Sequence, residues 1–137
     1  MSDVDAQKEQ DVLKRLASEN ASLARQAAFD AGDLRLESAV PLLVEHFANS
    51  SVGVQEASER ALRQIRGAAA VRAVIPLLRS QDAVVRNIAM DVLREIGVDD
   101  LATLTRLLYD QDPDIRIFIA DILGSSDSSM ALAPLCD

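Results

Sequence analysis

The stretch Val85-Arg86-Asn87-Ile88-Ala89-Met90-Asp91-Val92-Leu93-Arg94-Glu95-Ile96 decides the fold, because the chain contains its pattern three times. Leu93 of this stretch has a counterpart 31 residues earlier at Leu62 and another 30 residues later at Leu123. A fixed period of about 20–50 residues is typical of a solenoid, whose units cannot each bury an apolar face alone. Apolar residues at helical spacing within each copy predict α-helices. We therefore predict an all-α fold, an α-solenoid of antiparallel helix pairs.

The period divides the chain into about four repeats and the start of a fifth. The predicted repeats are roughly 9–35, 36–67, 68–98, 99–125 and a partial repeat over 126–137. We expect them to form one domain over 9–137, preceded by a polar leader over 1–8. Because the fifth copy stops partway through an apolar helix, we expect a piece of a longer array. The alternative is a partner that covers this end.

Glycine and proline punctuate the predicted helices. Four glycines at repeat spacing are each expected to end a second helix, since glycine readily adopts the left-handed conformation of a C-terminal cap: Gly32, Gly67, Gly97 and Gly124. Ser38 is expected to cap the helix over 39–47, which has Pro41 in its first turn. Val71–Leu78 is predicted to form the first helix of the third repeat.

The composition excludes several classes of protein. The formal net charge is −8, and the aromatic residues are 3 Phe and 1 Tyr. Such a chain repels phosphate backbones and offers no platform on which bases could stack. Its apolar stretches are far shorter than the ~20 residues of a membrane span, and its polar N-terminus carries no secretory signal. With one cysteine, Cys136, we predict a cytoplasmic protein that binds neither nucleic acid nor a membrane.

No arrangement of residues in the sequence predicts catalysis. His46 is the single histidine, and its neighbours Leu43 and Phe47 are predicted core residues, so we expect a satisfied or surface histidine. Cys136 lies in an apolar helix, where an inert buried thiol is the expectation. The chain has no cysteine and histidine cluster with metal-ligand spacing and no glycine-rich phosphate loop. We predict no enzyme, no catalytic residue, no metal and no cofactor.

The pattern Val85-Arg86-x-x-Ala89-x-x-Val92-Leu93-x-x-Ile96-Gly97, preceded by Pro76-Leu77-Leu78 and Asp82, resembles the HEAT repeat. More closely, it resembles the short HEAT-like variety labelled phycobilisome-lyase type, and the resemblance covers the chain from about residue 10. In such arrays, turn acids and arginines typically form a hydrogen-bonded ladder between neighbouring turns. The resemblance places this structural ladder at Asp82, Arg86, Asp112 and Arg116, with Arg25 as a looser match. The second repeat departs from the pattern with Ser51 and Gln55, where we expect a neutral rung.

The exposed side of the second helices is the predicted binding surface, because in HEAT arrays this side lines the concave face. The candidate partner-binding residues are Glu56, Glu59, Asn87, Met90, Asp91, Arg94, Ile117, Ala120 and Asp121. Met90 and Ile117 are the expected apolar anchors, unless they pack against further repeats. Asp91 and Asp121 are equivalent acids that form either a solvated face or a recognition stripe for a basic partner. We expect Asp30 to extend this row, which Arg60 interrupts.

These observations favour a non-catalytic scaffold that binds a protein or peptide partner. One alternative is a bilin lyase or chaperone-type protein, which only the resemblance suggests. Another is a structural or regulatory arm of a larger enzyme. The identity of the partner and the oligomeric state are left open.

Overall fold

A computed structural model describes residues 3–125, all of which lie in helices or in the short connections between them. The α-helices are α1 Asp3–Leu16, α2 Ala21–Leu34, α3 Val40–Asn49, α4 Val52–Ile65, α5 Gly67–Val74, α6 Ala83–Ile96, α7 Leu101–Leu107 and α8 Pro113–Ser125. Three 3-10 helices lie at Glu37–Ala39, Ile75–Arg79 and Gly97–Asp100. The described residues include no strand, so the all-α prediction is confirmed. The predicted fifth repeat and Cys136 lie outside the described residues.

The chain divides into two compact units, Met1–Ile65 and Arg66–Asp137, here called unit 1 and unit 2. In unit 1, α1 packs on α2, α3 packs on α4, and α2 packs along α4. In unit 2, α5 packs on α6, α7 packs on α8, and α6 packs on α8. Each unit therefore contains two helix pairs joined through their second helices. The prediction of a single domain over 9–137 stays a prediction.

The second helices bury the residues that the repeated pattern predicts. On α4, the positions that match the apolar side of the repeated stretch include Val54, Ala61 and Leu62, which are buried as is Ser58, and Ile65, which is half-buried. The corresponding positions of α6 are all buried: Val85, Ala89, Val92, Leu93 and Ile96. On α2 the buried side is made of small residues, namely Ala24, Ala27, Ala28, Ala31 and Gly32. Small side chains on α2 allow it to approach α4 closely.

Gly32 does not end α2 as predicted, because it is needed inside the helix for close packing. The helix continues to Leu34, and Arg35 takes the left-handed cap conformation with φ 52°. A Cβ atom on Gly32 would lie 2.9 Å from the Cα of Ala61 on α4 and would also meet Gln64. The glycine therefore marks a contact between two backbones.

The other three glycines predicted to end helices differ from one another in conformation and position. At the end of α4, Arg66 and Gly67 both have positive φ, 56° and 90°, so the chain reverses one residue earlier than predicted. Gly97 follows α6 in right-handed conformation and continues into a 3-10 turn. Gly124 lies inside α8, which runs to Ser125. A glycine at repeat spacing thus has a different local role in each repeat.

The first helices of the repeats also differ from the predicted ones. Ser38 lies in the 3-10 turn before α3 and donates its hydroxyl hydrogen to Glu9 at 2.6 Å, while Ala39 occupies the N-cap position. The predicted helix Val71–Leu78 is split, with α5 ending at Val74 and a 3-10 helix following. Pro76 explains this change, since proline lacks the N–H of an α-helical hydrogen bond and clashes with the preceding turn.

The residues assigned to a polar leader belong in part to a helix, since α1 begins at Asp3. No glycine or proline interrupts this segment, and acidic residues near a helix N-terminus are favoured by the helix dipole. Residues 5–8 are exposed, and Val12 is the first buried position among residues 5–16. The leader was predicted from the polarity of its residues. Polar residues indicate exposure to solvent, and an exposed segment can still be helical.

We predict that Gly32→Ala destabilises unit 1 by about 1–2 kcal/mol, because the added methyl group overpacks the contact between α2 and α4. Gly124→Ala is the matched control, since a Cβ atom there meets nothing within 4 Å. The control should gain about 0.5–1 kcal/mol from helix propensity. Urea unfolding followed by circular dichroism measures both. Equal stability of Gly32→Ala and the parent would contradict the close-packing role.

We predict that Ser58→Ala stabilises the protein by about 1 kcal/mol. The Ser58 side chain is fully buried, and its hydroxyl has no hydrogen-bond partner within residues 3–125. The repeat pattern places alanine at the equivalent position 89. Removing an unsatisfied buried hydroxyl avoids its desolvation cost. A lower urea midpoint for Ser58→Ala would show that the hydroxyl is satisfied in solution.

Candidate functional site

The turns before α6 and α8 share one polar motif with two parts. In the first turn, Ser80 Oγ accepts a hydrogen bond from the backbone N–H of Asp82 at 3.1 Å, and Asp82 Oδ1 accepts one from Val84 N–H at 2.9 Å. In the second, Asp110 and Asp112 make the equivalent contacts, both at 2.9 Å. The motif orders the turn and supplies a carboxylate to the helix N-terminus, where backbone N–H groups have no helical partner.

The arginines of the expected ladder contact their own turns. Arg86 Nη1 donates to the carbonyl oxygen of Ser80 at 2.7 Å, and Arg116 Nη1 donates to that of Asp110 at 2.8 Å. The resemblance implied contacts between neighbouring turns, so the geometry differs from that expectation. An arginine at the fourth residue of the second helix reaches back over the turn because its side chain points toward the helix N-terminus. Each of these arginines therefore closes one turn within its own repeat.

Unit 1 closes its turns with neutral groups. Gln55, at the position equivalent to Arg86, donates its amide hydrogen to the carbonyl oxygen of Phe47 at 3.0 Å. In the turn before α2, Asn20 Oδ1 accepts from Leu23 N–H at 3.2 Å. Arg25, the looser ladder match, lies over the ring of Phe29. The sequence pattern did not reveal the role of Asn20, although an asparagine directly before a helix is a typical cap.

Ion pairs between the repeats of unit 2 involve residues that the sequence pattern did not single out. Arg79 donates to Asp110 at 2.7 and 3.4 Å, Arg72 to Asp100 at 2.8 Å, and Arg66 to Asp99 at 3.0 Å. The hydrogen bonds from Arg66 and Arg79 are the main cause that lowers the pKa of Asp99 and Asp110, respectively. For Asp100 the hydrogen bond from Thr103 is the larger cause of a lowered pKa, followed by that from Arg72. The ion pairs of Arg72 and Arg79 link the third repeat to the fourth, and that of Arg66 links the end of the predicted second repeat, which lies in unit 2, to the fourth.

The candidate binding residues on α6 and α8 lie on the outer side of unit 2. Asn87, Asp91, Ile117, Ala120 and Asp121 are exposed, whereas Met90 and Arg94 are half-buried. Ile117 is 64% exposed, and it is the large apolar residue on this surface. The role of the half-buried Met90 as an apolar anchor stays a prediction. In unit 1, Glu56 on α4 is exposed, and Glu59 is half-buried and pairs with Arg63 at 3.5 Å.

Arg94 brings the two predicted acids of unit 2 together. Its Nη1 donates to Asp91 at 2.6 Å and its Nη2 donates to Asp121 at 2.5 Å, so one guanidinium joins α6 to α8. Asp30, which was expected to extend the acidic row, is bound to Arg15 at 2.8 Å. Because each of these acids has a cationic partner, the surface offers less negative charge than the sequence pattern indicates.

His46 is half-buried and both of its ring nitrogens have partners. Nε2 lies 2.7 Å from the carbonyl oxygen of Leu16, so it carries a hydrogen and donates to it. Nδ1 contacts the hydroxyl group of Ser50. The imidazole therefore links α3 to the end of α1 and to its own turn. Within residues 3–125, no group of three or more histidine, cysteine, aspartate or glutamate side chains is arranged to hold a metal ion.

The described helices are too short or too polar for one of them to cross a bilayer. Stacked helix pairs, polar turns and paired second helices define the protein as an all-α repeat protein of the solenoid class. A model of the HEAT repeats matches residues 9–94, and the chain therefore belongs to the HEAT-repeat family. The prediction of this family and of its fold is confirmed, whereas the phycobilisome-lyase-type variety stays a prediction.

A solved structure has a similar fold. It is the crystal structure of an engineered protein, a target of the Northeast Structural Genomics Consortium, with a TM-score of 0.50 and 22% sequence identity. The match covers 100% of this chain and 68% of that chain. A comparison with curated proteins found no match. At this identity the structural likeness supports the helical-repeat architecture alone.

We predict that unit 2 loses stability in acid. The folded pKa of Asp99, Asp100 and Asp110 lies below the ordinary value of 3.8. A lowered pKa contributes stability that is complete above the unfolded value and is lost as pH falls through the folded value. The urea midpoint should stay constant from about pH 7 to pH 5 and fall below about pH 4.

The variant Asp110→Asn tests which group causes this loss. It should be less stable than the parent at about pH 7 and should lose less stability between about pH 4 and pH 2. Glu19→Gln removes an exposed carboxylate and is the control that should keep the pH profile of the parent. Parallel profiles for Asp110→Asn and the parent would exclude Asp110 as a source of the acid sensitivity.

Proposed function

We propose that this HEAT-repeat chain is a non-catalytic scaffold that binds a protein or peptide partner through the exposed side of its second helices. HEAT repeats generally mediate protein interactions, which supports the class of function. The binding surface of unit 2 consists of the outer sides of α6 and α8. A cytoplasmic location fits a scaffold with a single cysteine and belongs to the same proposal.

The observation that carries this proposal is the exposed position of Ile117 among polar groups. Ile117 and Asp121 are four residues apart and share one face of α8. Asp121 is bound to Arg94, so this face of α8 continues into the outer side of α6. An apolar side chain with a polar rim is a typical centre of a protein interface, because the rim orients the partner while the centre loses water.

The electrostatics of this surface also suit a protein partner. Asp91, Arg94 and Asp121 form one connected cluster with a net charge of −1, by counting two carboxylates and one guanidinium. Asn87, one turn from Asp91, adds an amide that can donate and accept. Such a rim favours polar hydrogen bonding with a modest preference for a basic partner.

We predict that Ile117→Glu abolishes capture of the partner while the fold is kept, since a charge at the interface centre is desolvated without a counterion. The immobilised parent and variant are incubated with the same cell extract, and the bound proteins are compared by mass spectrometry. Val84→Glu is the matched control, because Val84 is 58% exposed on the same unit and lies at the start of α6.

The expected result is a set of proteins captured by the parent and by Val84→Glu but not by Ile117→Glu. Circular dichroism should show the same helix content for all three. Capture of the same proteins by Ile117→Glu would contradict binding through this surface. Loss of binding by both variants would indicate a general effect of added negative charge and would also contradict it.

A further inference from the structure

Two arginines of unit 1 converge on one aromatic ring. The Cζ atom of Arg25, on α2, lies 4.9 Å from the centroid of the Phe29 ring, and that of Arg60, on α4, lies 5.7 Å from it. Phe29 is half-buried, and both arginines are exposed. The aromatic ring attracts each guanidinium, so two cations share Phe29 as a common neighbour. The cluster Arg25–Phe29–Arg60 lies on the exposed side of the two second helices.

The two arginines differ from most others in this acidic protein. Six arginines in the described part of the chain form ion pairs, namely Arg15, Arg63, Arg66, Arg72, Arg79 and Arg94. Arg25 and Arg60 have no ion pair and no hydrogen bond within residues 3–125. Glu56 precedes Arg60 by four residues, a favourable spacing for an ion pair, yet those two side chains form none.

The geometry leaves the hydrogen-bond donors of both arginines available. A cation–π contact engages the charge of the guanidinium and supplies no oxygen acceptor for its N–H groups. The stem of Arg25 passes close to the backbone of Gly53, since a Cβ atom there would lie 3.4 Å from Arg25 Cδ. The Arg25 side chain, which extends from α2, thus also passes close to α4. Beside it lies a shallow depression lined by Ser22, Arg25, Gln26, Phe29 and Asp30.

We propose that Arg25, Phe29 and Arg60 form a binding site for a carboxylate side chain of an acidic peptide segment. A carboxylate accepts two parallel hydrogen bonds from a guanidinium fork, and it would bring a negative charge to two cations that form no ion pair within residues 3–125. The nearby acid Asp30 is already bound to Arg15. This inference deepens the proposed function, on which it rests, because it names the chemistry of a partner for unit 1.

An acidic peptide suits this site better than a nucleic acid. The chain carries a net charge of −8, so a long polyphosphate is repelled along its whole length. A short peptide extends over fewer of the acidic groups of this chain than a long polyphosphate does, so the two arginines contribute a larger share of its electrostatic interaction. A single half-buried ring also gives bases no extended stacking platform.

The test measures binding of a fluorescently labelled hexaglutamate peptide to the full chain by fluorescence anisotropy, with hexaglutamine as the neutral peptide. The parent should bind hexaglutamate and not hexaglutamine, and added salt should weaken the binding. The double variant Arg25→Gln with Arg60→Gln should bind at least about tenfold more weakly. Lys14→Gln with Arg35→Gln is the matched control, since it removes two exposed cations of unit 1 and should bind like the parent.

Two single variants sharpen the test. Phe29→Leu keeps both charges but removes the ring that gathers them, so we expect weaker binding of hexaglutamate. Glu56→Gln removes the exposed acid one turn from Arg60, so we expect tighter binding. Circular dichroism of each variant establishes that helix content is kept. If Phe29→Leu loses helix content, Phe29→Tyr, which keeps an aromatic face, should bind like the parent.

Several results would overturn the inference. They are absence of hexaglutamate binding by the parent, equal loss in the matched control, and binding that survives loss of both arginines. Tighter binding of a single-stranded oligonucleotide through the same arginines would reassign the site to nucleic acid. Ile117→Glu lies in unit 2 and should bind hexaglutamate like the parent, so failure of the site and failure of the proposed function are told apart.

Discussion

The structure depends on one constraint, which is that the apolar side of each second helix must be covered by other helices of its unit. In unit 1, α4 packs against α3 of its own helix pair and against α2 of the preceding pair. The row of alanines on α2, ending at Gly32, brings the two backbones together. Close contact between second helices fixes which of their side chains remain outside, and the candidate sites are built from those side chains. Burial on one side therefore determines the composition of the available surface.

The turns are held by their own hydrogen bonds, so the second helices can pack alike while their exposed residues differ between repeats. Arg86, Arg116 and Gln55 each donate to a carbonyl oxygen in or next to the turn before their helix, so backbone groups that a loop would leave unsatisfied have partners. The turns are closed by these local contacts, and the exposed positions 56, 87 and 117 of α4, α6 and α8 take no part in closing them. Glutamate, asparagine and isoleucine occupy equivalent outer positions at residues 56, 87 and 117. The protein can thus carry different binding chemistry in successive repeats on one framework.

The sequence predicted the second helices well and their partners poorly, for a physical reason. Helical periodicity reports which side of a helix is apolar, and Val85, Ala89 and Leu93 are buried as expected. It does not report which of several roles a residue type plays. Gly32 was expected to cap a helix and instead permits backbone contact, because close approach depends on the neighbouring helix. Side-chain partners such as Arg79 and Asp110 depend on how repeats stack, and the cluster at Phe29 draws on two helices. The spacing of residues within one repeat predicts neither the ion pairs between repeats nor the cluster at Phe29.

The arginine shared between Asp91 and Asp121 has a consequence for how such a surface evolves. Arg94 is partly exposed and its guanidinium lies outside the core, so replacing it changes the charge of the surface with little effect on packing. A single nucleotide substitution that removed this cation would leave two neighbouring carboxylates, a group with a strong preference for cations. A new specificity would then arise by deleting a partner from an existing network rather than by adding a residue. Repeat surfaces whose acidic groups share one cation can therefore diverge quickly after duplication, while the helices beneath them stay the same.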